Sequence, residues 1–109
     1  MNKYNARKVT IDGIAFDSKK EAHRYAELKM LLRGGEIRDL RLQVEYELIP
    51  KQVGERACNY IADFVYQDVR TGKTVVEDVK GYKKGAAYNI FAIKRKLMLW
   101  RYGIKIVEV

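Results

Sequence analysis

A helix-like stretch, residues 87–102, lies between two strand-like segments, 74–80 and 104–109, and this order limits the fold more than anything else in the chain. Two strands joined through a helix can run parallel in one sheet, because the crossover carries the chain back to its starting end. Upstream, residues 36–49 place Leu40, Leu42, Val44, Tyr46 and Leu48 at every second position, and Pro50 closes the run. Residues 59–68 form a further strand, joined to 74–80 by the turn-rich Val69-Arg70-Thr71-Gly72-Lys73, a hairpin connection. The expectation is an α/β fold in the order α-β-β-β-α-β, with a mixed central sheet flanked by two helices.

Local signals fill in the rest. Residues 1–10 read as a loose or edge-strand start. Ile11 to Phe16 reads as a short hairpin turning at Asp12-Gly13. Ser18-Lys19-Lys20-Glu21 fits a capping box and opens a helix that runs to Arg33, where Gly34-Gly35 ends it. Glu21, Tyr25, Leu28 and Leu32 share one helical face, so Glu21 points inward near the helix start. In the second helix Ile90, Ile93, Leu97 and Trp100 form an apolar stripe, which is the expected core face, and Gly103 stops it.

At 109 residues the chain is expected to be one domain, 1–109, with a single small core. No apolar run approaches the ~20 residues of a membrane helix, and no hydrophobic stretch follows the N-terminal charges, so the expected compartment is the cytoplasm. Cys58 and His23 are each the sole residue of their kind, too few for a zinc site or an internal disulfide. The net charge is +8, which points to an anionic partner, with nucleic acid leading.

The chemistry centres on Asp63 and on Asp78-Val79-Lys80. In a strand, residues i and i+2 share a face, so Asp78 and Lys80 point together and Val79 points away. A neighbouring strand can bring Asp63 beside them. Along that strand Ile61, Asp63 and Val65 are expected on one face, with Tyr60, Ala62, Phe64 and Tyr66 on the other. Two acids and a lysine in an apolar sheet are costly unless they are paired or functional. A salt bridge from Asp63 to an arginine, or a plain Asp78–Lys80 ion pair, would satisfy them structurally. As a functional set they suit Mg²⁺, which takes hard oxygen ligands and needs only one or two carboxylates. The Val79 carbonyl is a further candidate ligand. Glu21 is a fourth acid, readable as a ligand or as a helix cap. Glu77, facing the other way, is expected at the surface or in a salt bridge.

The basic residues fall into two groups. Lys80-Gly81-Tyr82-Lys83-Lys84-Gly85 leads away from the proposed site as a flexible loop able to hold a phosphate. Lys94-Arg95-Lys96 lies on the second helix, with Lys94 at the border of the stripe and Arg95 and Lys96 as a solvated face or phosphate track. Arg7, Lys8, Lys19, Lys20 and Arg24 are expected to extend the same DNA-binding patch.

The order of elements, together with Glu21, Asp63 and Asp78-Val79-Lys80, resembles the PD-(D/E)xK nuclease superfamily over nearly the whole chain. The likeness is closest to small phage-type endonucleases first described as a domain of unknown function. It is more distant to Holliday junction resolvases and to the endonuclease subunit of a transposase. Ala62 stands where that pattern has a proline. The resemblance implies a restriction-endonuclease-like core, Mg²⁺ or Mn²⁺ on Glu21, Asp63, Asp78 and Val79, and a catalytic Lys80. It also implies cleavage of DNA phosphodiesters, structure-selective or weakly sequence-specific, in phage-type recombination or replication. A dimer would present two such sites to both strands. The alternatives are a DNA-binding accessory module without chemistry, which the charge alone would support, and a domain that binds only protein.

Overall fold

The computed structural model describes residues 8–109. A short hairpin comes first, β1 (Val9–Ile11) and β2 (Ile14–Phe16). Asp12 and Gly13 turn it with φ of 54° and 77°, the paired positive angles of a turn that matches strand twist. Helix α1 (Lys19–Arg33) follows, and the Ser18 hydroxyl accepts the Glu21 N–H at 3.1 Å as its cap. The expected boundaries of this helix hold, including its end at the two glycines.

The main sheet is four-stranded and mixed, in the order β3 (Ile37–Ile49), β4 (Cys58–Asp68), β5 (Thr74–Asp78), β6 (Val107–Glu108). β3–β4 and β4–β5 are antiparallel, and β5–β6 is parallel across helix α2 (Gly85–Tyr102). The last two strands are shorter than the patterns 74–80 and 104–109 suggested. Their hydrogen bonding nevertheless runs on: Val109 N–H donates to the Asp78 carbonyl at 2.9 Å and Lys80 N–H to the Val109 carbonyl at 3.0 Å. Gly103, at φ 67°, ends α2 in the left-handed conformation glycine adopts readily.

Two apolar clusters form the core. Phe16, Ala22, Tyr25, Leu28, Ile37, Phe64 and Tyr66 pack beneath α1. Leu48, Tyr60, Ala62, Val65, Val76, Phe91, Met98 and Ile106 pack beneath α2.

These clusters correct two expectations. Tyr60 and Ala62 lie with Val65 under α2, while Phe64 and Tyr66 lie under α1, so β4 does not keep one alternation from end to end. It changes phase at Asp63. Gln43, which the register places beside Asp63, has φ 53°, so β3 is irregular at the same point. Ile61 is left 52% exposed as a result. The second correction concerns α2. Its core contacts come from Phe91 and Met98, two turns apart, with Leu97 alongside; Ile90, Ile93 and Trp100 of the expected stripe are 57%, 58% and 80% exposed.

Candidate active site

β4 and β5 part company at their far end, and the acids stand where they separate. The last ladder pair is Phe64 with Glu77, so the next step of the register sets Asp63 opposite Asp78. The Asp63 carboxylate takes over from the lost backbone pairing: its Oδ2 accepts the Val79 N–H at 2.8 Å, and its Oδ1 accepts from Gln43 Nε2 at 3.3 Å. Asp63 therefore stands where the β4–β5 ladder ends, while β4 stays paired with β3, and no arginine is paired with Asp63 among the described residues.

Asp78 is buried, with two different donors on its two oxygens. The Tyr60 hydroxyl donates to Oδ2 at 2.7 Å, and Lys80 Nζ lies 2.8 Å from Oδ1. Asp78 and Lys80 do share a face, as the two-residue period requires. The Lys80 ammonium also sits 3.5 Å from the centroid of the Phe91 ring, a cation–π contact that holds it over the apolar floor. Burial first, and the Asp78 hydrogen bond second, drive the Tyr60 hydroxyl far above the ordinary tyrosine range.

Glu21 enters from the first turn of α1. The capping box is only half made: Ser18 caps the helix, but among the described residues the Glu21 carboxylate returns no bond to it. That carboxyl is raised to about 7, first by burial and then by the negative charges of Asp63, Asp17 and Asp78. Asp63 is raised as well, first by burial and further by Asp78, with the Val79 N–H, Gln43 and Lys80 acting against it. The three acids feel one another, yet among the described residues no three His, Cys, Asp or Glu side chains stand grouped as a ready metal cage.

The shift of Glu21 carries a testable sign. Its carboxyl binds a proton more tightly in the folded chain than at the ordinary 4.5. The resulting stabilisation is complete below pH 4.5 and lost as the pH rises through about 7. Urea unfolding at pH 5 and pH 8 should therefore show a smaller fall in stability for Glu21→Gln than for the wild type; equal falls would contradict the assignment.

Glu77 is not at the surface. It is 1% exposed and forms a salt bridge, accepting from Arg24 Nε at 2.8 Å and Nη2 at 2.7 Å, with the Tyr66 hydroxyl donating to the same carboxylate. Arg24, half-buried, is thus engaged by Glu77 and also lies 3.4 Å from Glu27 at the surface. Its pairing ties α1 to β5 one turn after Glu21. Arg95 is likewise engaged, 3.2 Å from Glu108 and 3.2 Å from the Tyr88 hydroxyl, which itself donates to Glu108 at 2.7 Å. Lys83 lies 3.9 Å from the same Glu108.

The remaining basic residues stay accessible. Lys19, Lys20, Lys84 and Lys96 are exposed, and Lys20 Nζ donates to the Lys80 carbonyl. Lys94 lines a groove with Asp78 and Lys80. Arg7 lies outside the described residues. His23 is exposed and Cys58 partly buried against the α2 cluster, neither near a second ligand of its kind.

Sequence reasoning missed Tyr60, Gln43, Phe91 and Asp17 as neighbours of the site. Tyr60 and Gln43 were hidden by the phase change at Asp63, and Phe91 by the misplaced α2 stripe.

An α/β domain with a mixed sheet and a carboxylate–lysine site at a strand divergence is the class that this geometry defines. Residues 1–107 match the model of the family described as "Protein of unknown function (DUF1064)", and the chain belongs to that family. No curated protein and no solved structure gives a match. Among the described residues no helix is long and apolar enough to cross a membrane.

Proposed function

We propose that this chain is a metal-dependent DNA endonuclease of the PD-(D/E)xK type. The observation that carries the reading is Asp63 standing opposite Asp78 where β4 and β5 diverge, with Lys80 on Asp78 and Glu21 raised to about 7 by burial and the nearby acids. Glu21 and Asp63, whose proton affinity is raised first by burial and further by neighbouring carboxylates, suit a divalent cation, which would offset the same repulsion. The donor set is all oxygen, as Mg²⁺ or Mn²⁺ prefers. Asp63 and Asp78 would hold the ion, with Glu21 and the Val79 carbonyl completing the set. Such an ion supplies an activated water and neutralises charge on the phosphate.

The chain's own residues do the positioning. Tyr60 fixes the Asp78 carboxylate through its hydroxyl. The Arg24–Glu77 pair fixes α1, and with it Glu21, against the sheet. Lys80 holds a positive charge beside the carboxylates, placed to orient the attacking water or to stabilise charge developing on the phosphate. Lys19, Lys20, Lys83, Lys84, Lys94 and Lys96 form the surface for the DNA backbone, and Arg95 supports it through Glu108. A homodimer would offer two centres to the two strands of a duplex or junction. The setting that fits is phage-type recombination or replication in the cytoplasm of a host cell.

A DNA-binding module without chemistry is the second reading. It is favoured by one observation, that the acids are not gathered into a ready metal cage. Labelled supercoiled, linear and four-way-junction DNA incubated with Mg²⁺, Mn²⁺ or EDTA separates the two. Products with metal and none with EDTA support the endonuclease; binding without products in every metal supports the module.

A further inference from the structure

Helix α2 carries a second apolar face that the core does not use. Phe91 and Met98 pack into the core, while Ile90, Ile93, Leu97 and Trp100 follow one another at intervals of three, four and three residues. That spacing is the seam by which one helix packs along another. The four side chains form a continuous row along about three turns, with Ile90, Ile93 and Trp100 more than half exposed and Leu97 half-buried among them. At its C-terminal end the row runs into an apolar groove of about 750 Å³, lined by Leu48, Ile49 and Pro50 together with Leu97, Trp100 and Arg101. Apolar surface as continuous as this marks a docking surface. The borders of the row say what docks. Lys94 and Arg101 stand on one side of it, Asn89 and Lys96 on the other. Arg101 is met by Glu47 of β3 at 3.2 Å, and Lys94 and Lys96 form no ion pair among the described residues. A second copy would set these basic borders against their own kind, on a chain of net charge +8. A helix with acidic borders would meet them with the opposite charge.

We propose that the outward face of α2 docks an amphipathic helix of a different protein, apolar along its own seam and bordered by Glu or Asp. Trp100 is the anchor: it is the largest side chain of the row, it lines the groove, and it is of the type that dominates interface energies. Lys94 and Lys96 choose the partner, because like charges across such a seam repel and opposite charges attract. The inference goes beyond the endonuclease reading and does not rest on it, since none of Glu21, Asp63, Asp78 and Lys80 takes part.

Trp100 is the only tryptophan of the chain, so its fluorescence reports this face directly. The probes are two synthetic peptides of about three heptads, free of Trp, with Leu at both seam positions and either Glu or Lys at every border position. Like charges keep each peptide from pairing with itself. At low salt the Glu peptide should shift the Trp100 emission to the blue and bind about tenfold more tightly than the Lys peptide, and added salt should narrow that gap. Ile90→Ser/Ile93→Ser, which alters only side chains more than half exposed, should lose the shift while keeping the wild-type circular dichroism. Lys96→Glu should weaken the preference for the Glu peptide. No shift with either peptide, equal affinity for both, or an undiminished response in Ile90→Ser/Ile93→Ser would overturn the proposal. So would a chain that sediments as a dimer with Trp100 already shielded, because a second copy would then hold the face.

Discussion

Asp78→Asn should reduce metal-dependent DNA cleavage by on the order of 10³-fold, measured as initial rates on the preferred DNA, while affinity for that DNA in EDTA stays near the wild-type value. The substitution keeps the shape of the side chain and lets the Tyr60 hydroxyl donate to the amide oxygen as it now donates to Oδ2 at 2.7 Å. It removes the negative charge that faces Asp63 and Lys80. The loss of the Lys80 ion pair is offset by relief of repulsion on Asp63 and Glu21, both raised by Asp78. Folding should therefore survive, and the loss should be one of chemistry. Cleavage within a few-fold of wild type would mean that Asp78 serves only as a structural partner for Tyr60 and Lys80.

Arg24→Met should destabilise the fold by about 3–5 kcal/mol, read from urea unfolding at pH 7. The Glu77 carboxylate is 1% exposed and would keep only the Tyr66 hydroxyl as a partner. A buried charge stripped of its partner costs far more than the pair ever contributed, and 3–5 kcal/mol is a large share of the ~5–15 kcal/mol that a domain commands. Arg24→Met/Glu77→Met should recover most of the loss, because it removes both charges and fills the space with apolar atoms. A cost below about 1 kcal/mol for the single change, the level of a surface ion pair, would show that the pair is solvated in solution. The pairing also bears on function. It anchors α1 three residues after Glu21, so partial loss of fold in Arg24→Met should lower cleavage by displacing Glu21 as well.

Sequence patterns predicted the structure correctly where a short-range rule applied. The period of two, carried past the end of β5, brings Asp78 and Lys80 together, with Nζ 2.8 Å from Oδ1. The Asp12-Gly13 turn, the Ser18 cap and the helix between two parallel strands each follow from local chemistry in the same way. The failures share a different cause. β4 holds apolar residues on both faces, so alternation alone cannot reveal that the strand changes phase at Asp63; the irregular Gln43 on a neighbouring strand accompanies that change. Helix α2 likewise carries apolar residues on more than one face. Phe91 and Met98 win the core because they meet Tyr60, Ala62 and Val65, a fact of tertiary packing that helical spacing does not contain. Glu77 reads in the sequence as a surface or salt-bridge residue; the salt bridge is what forms, but its burial and its partner Arg24, 53 residues away, are marked by nothing local.

The most direct test of the proposed centre is a Mn²⁺ titration followed by amide NMR, because it reads the metal site without any DNA present. Paramagnetic broadening should begin at Asp63, Asp78 and Val79, reach Glu21 next, and vanish in Asp63→Asn/Asp78→Asn. Broadening that starts elsewhere, or that persists unchanged in that variant, would contradict a metal site at the divergence of β4 and β5.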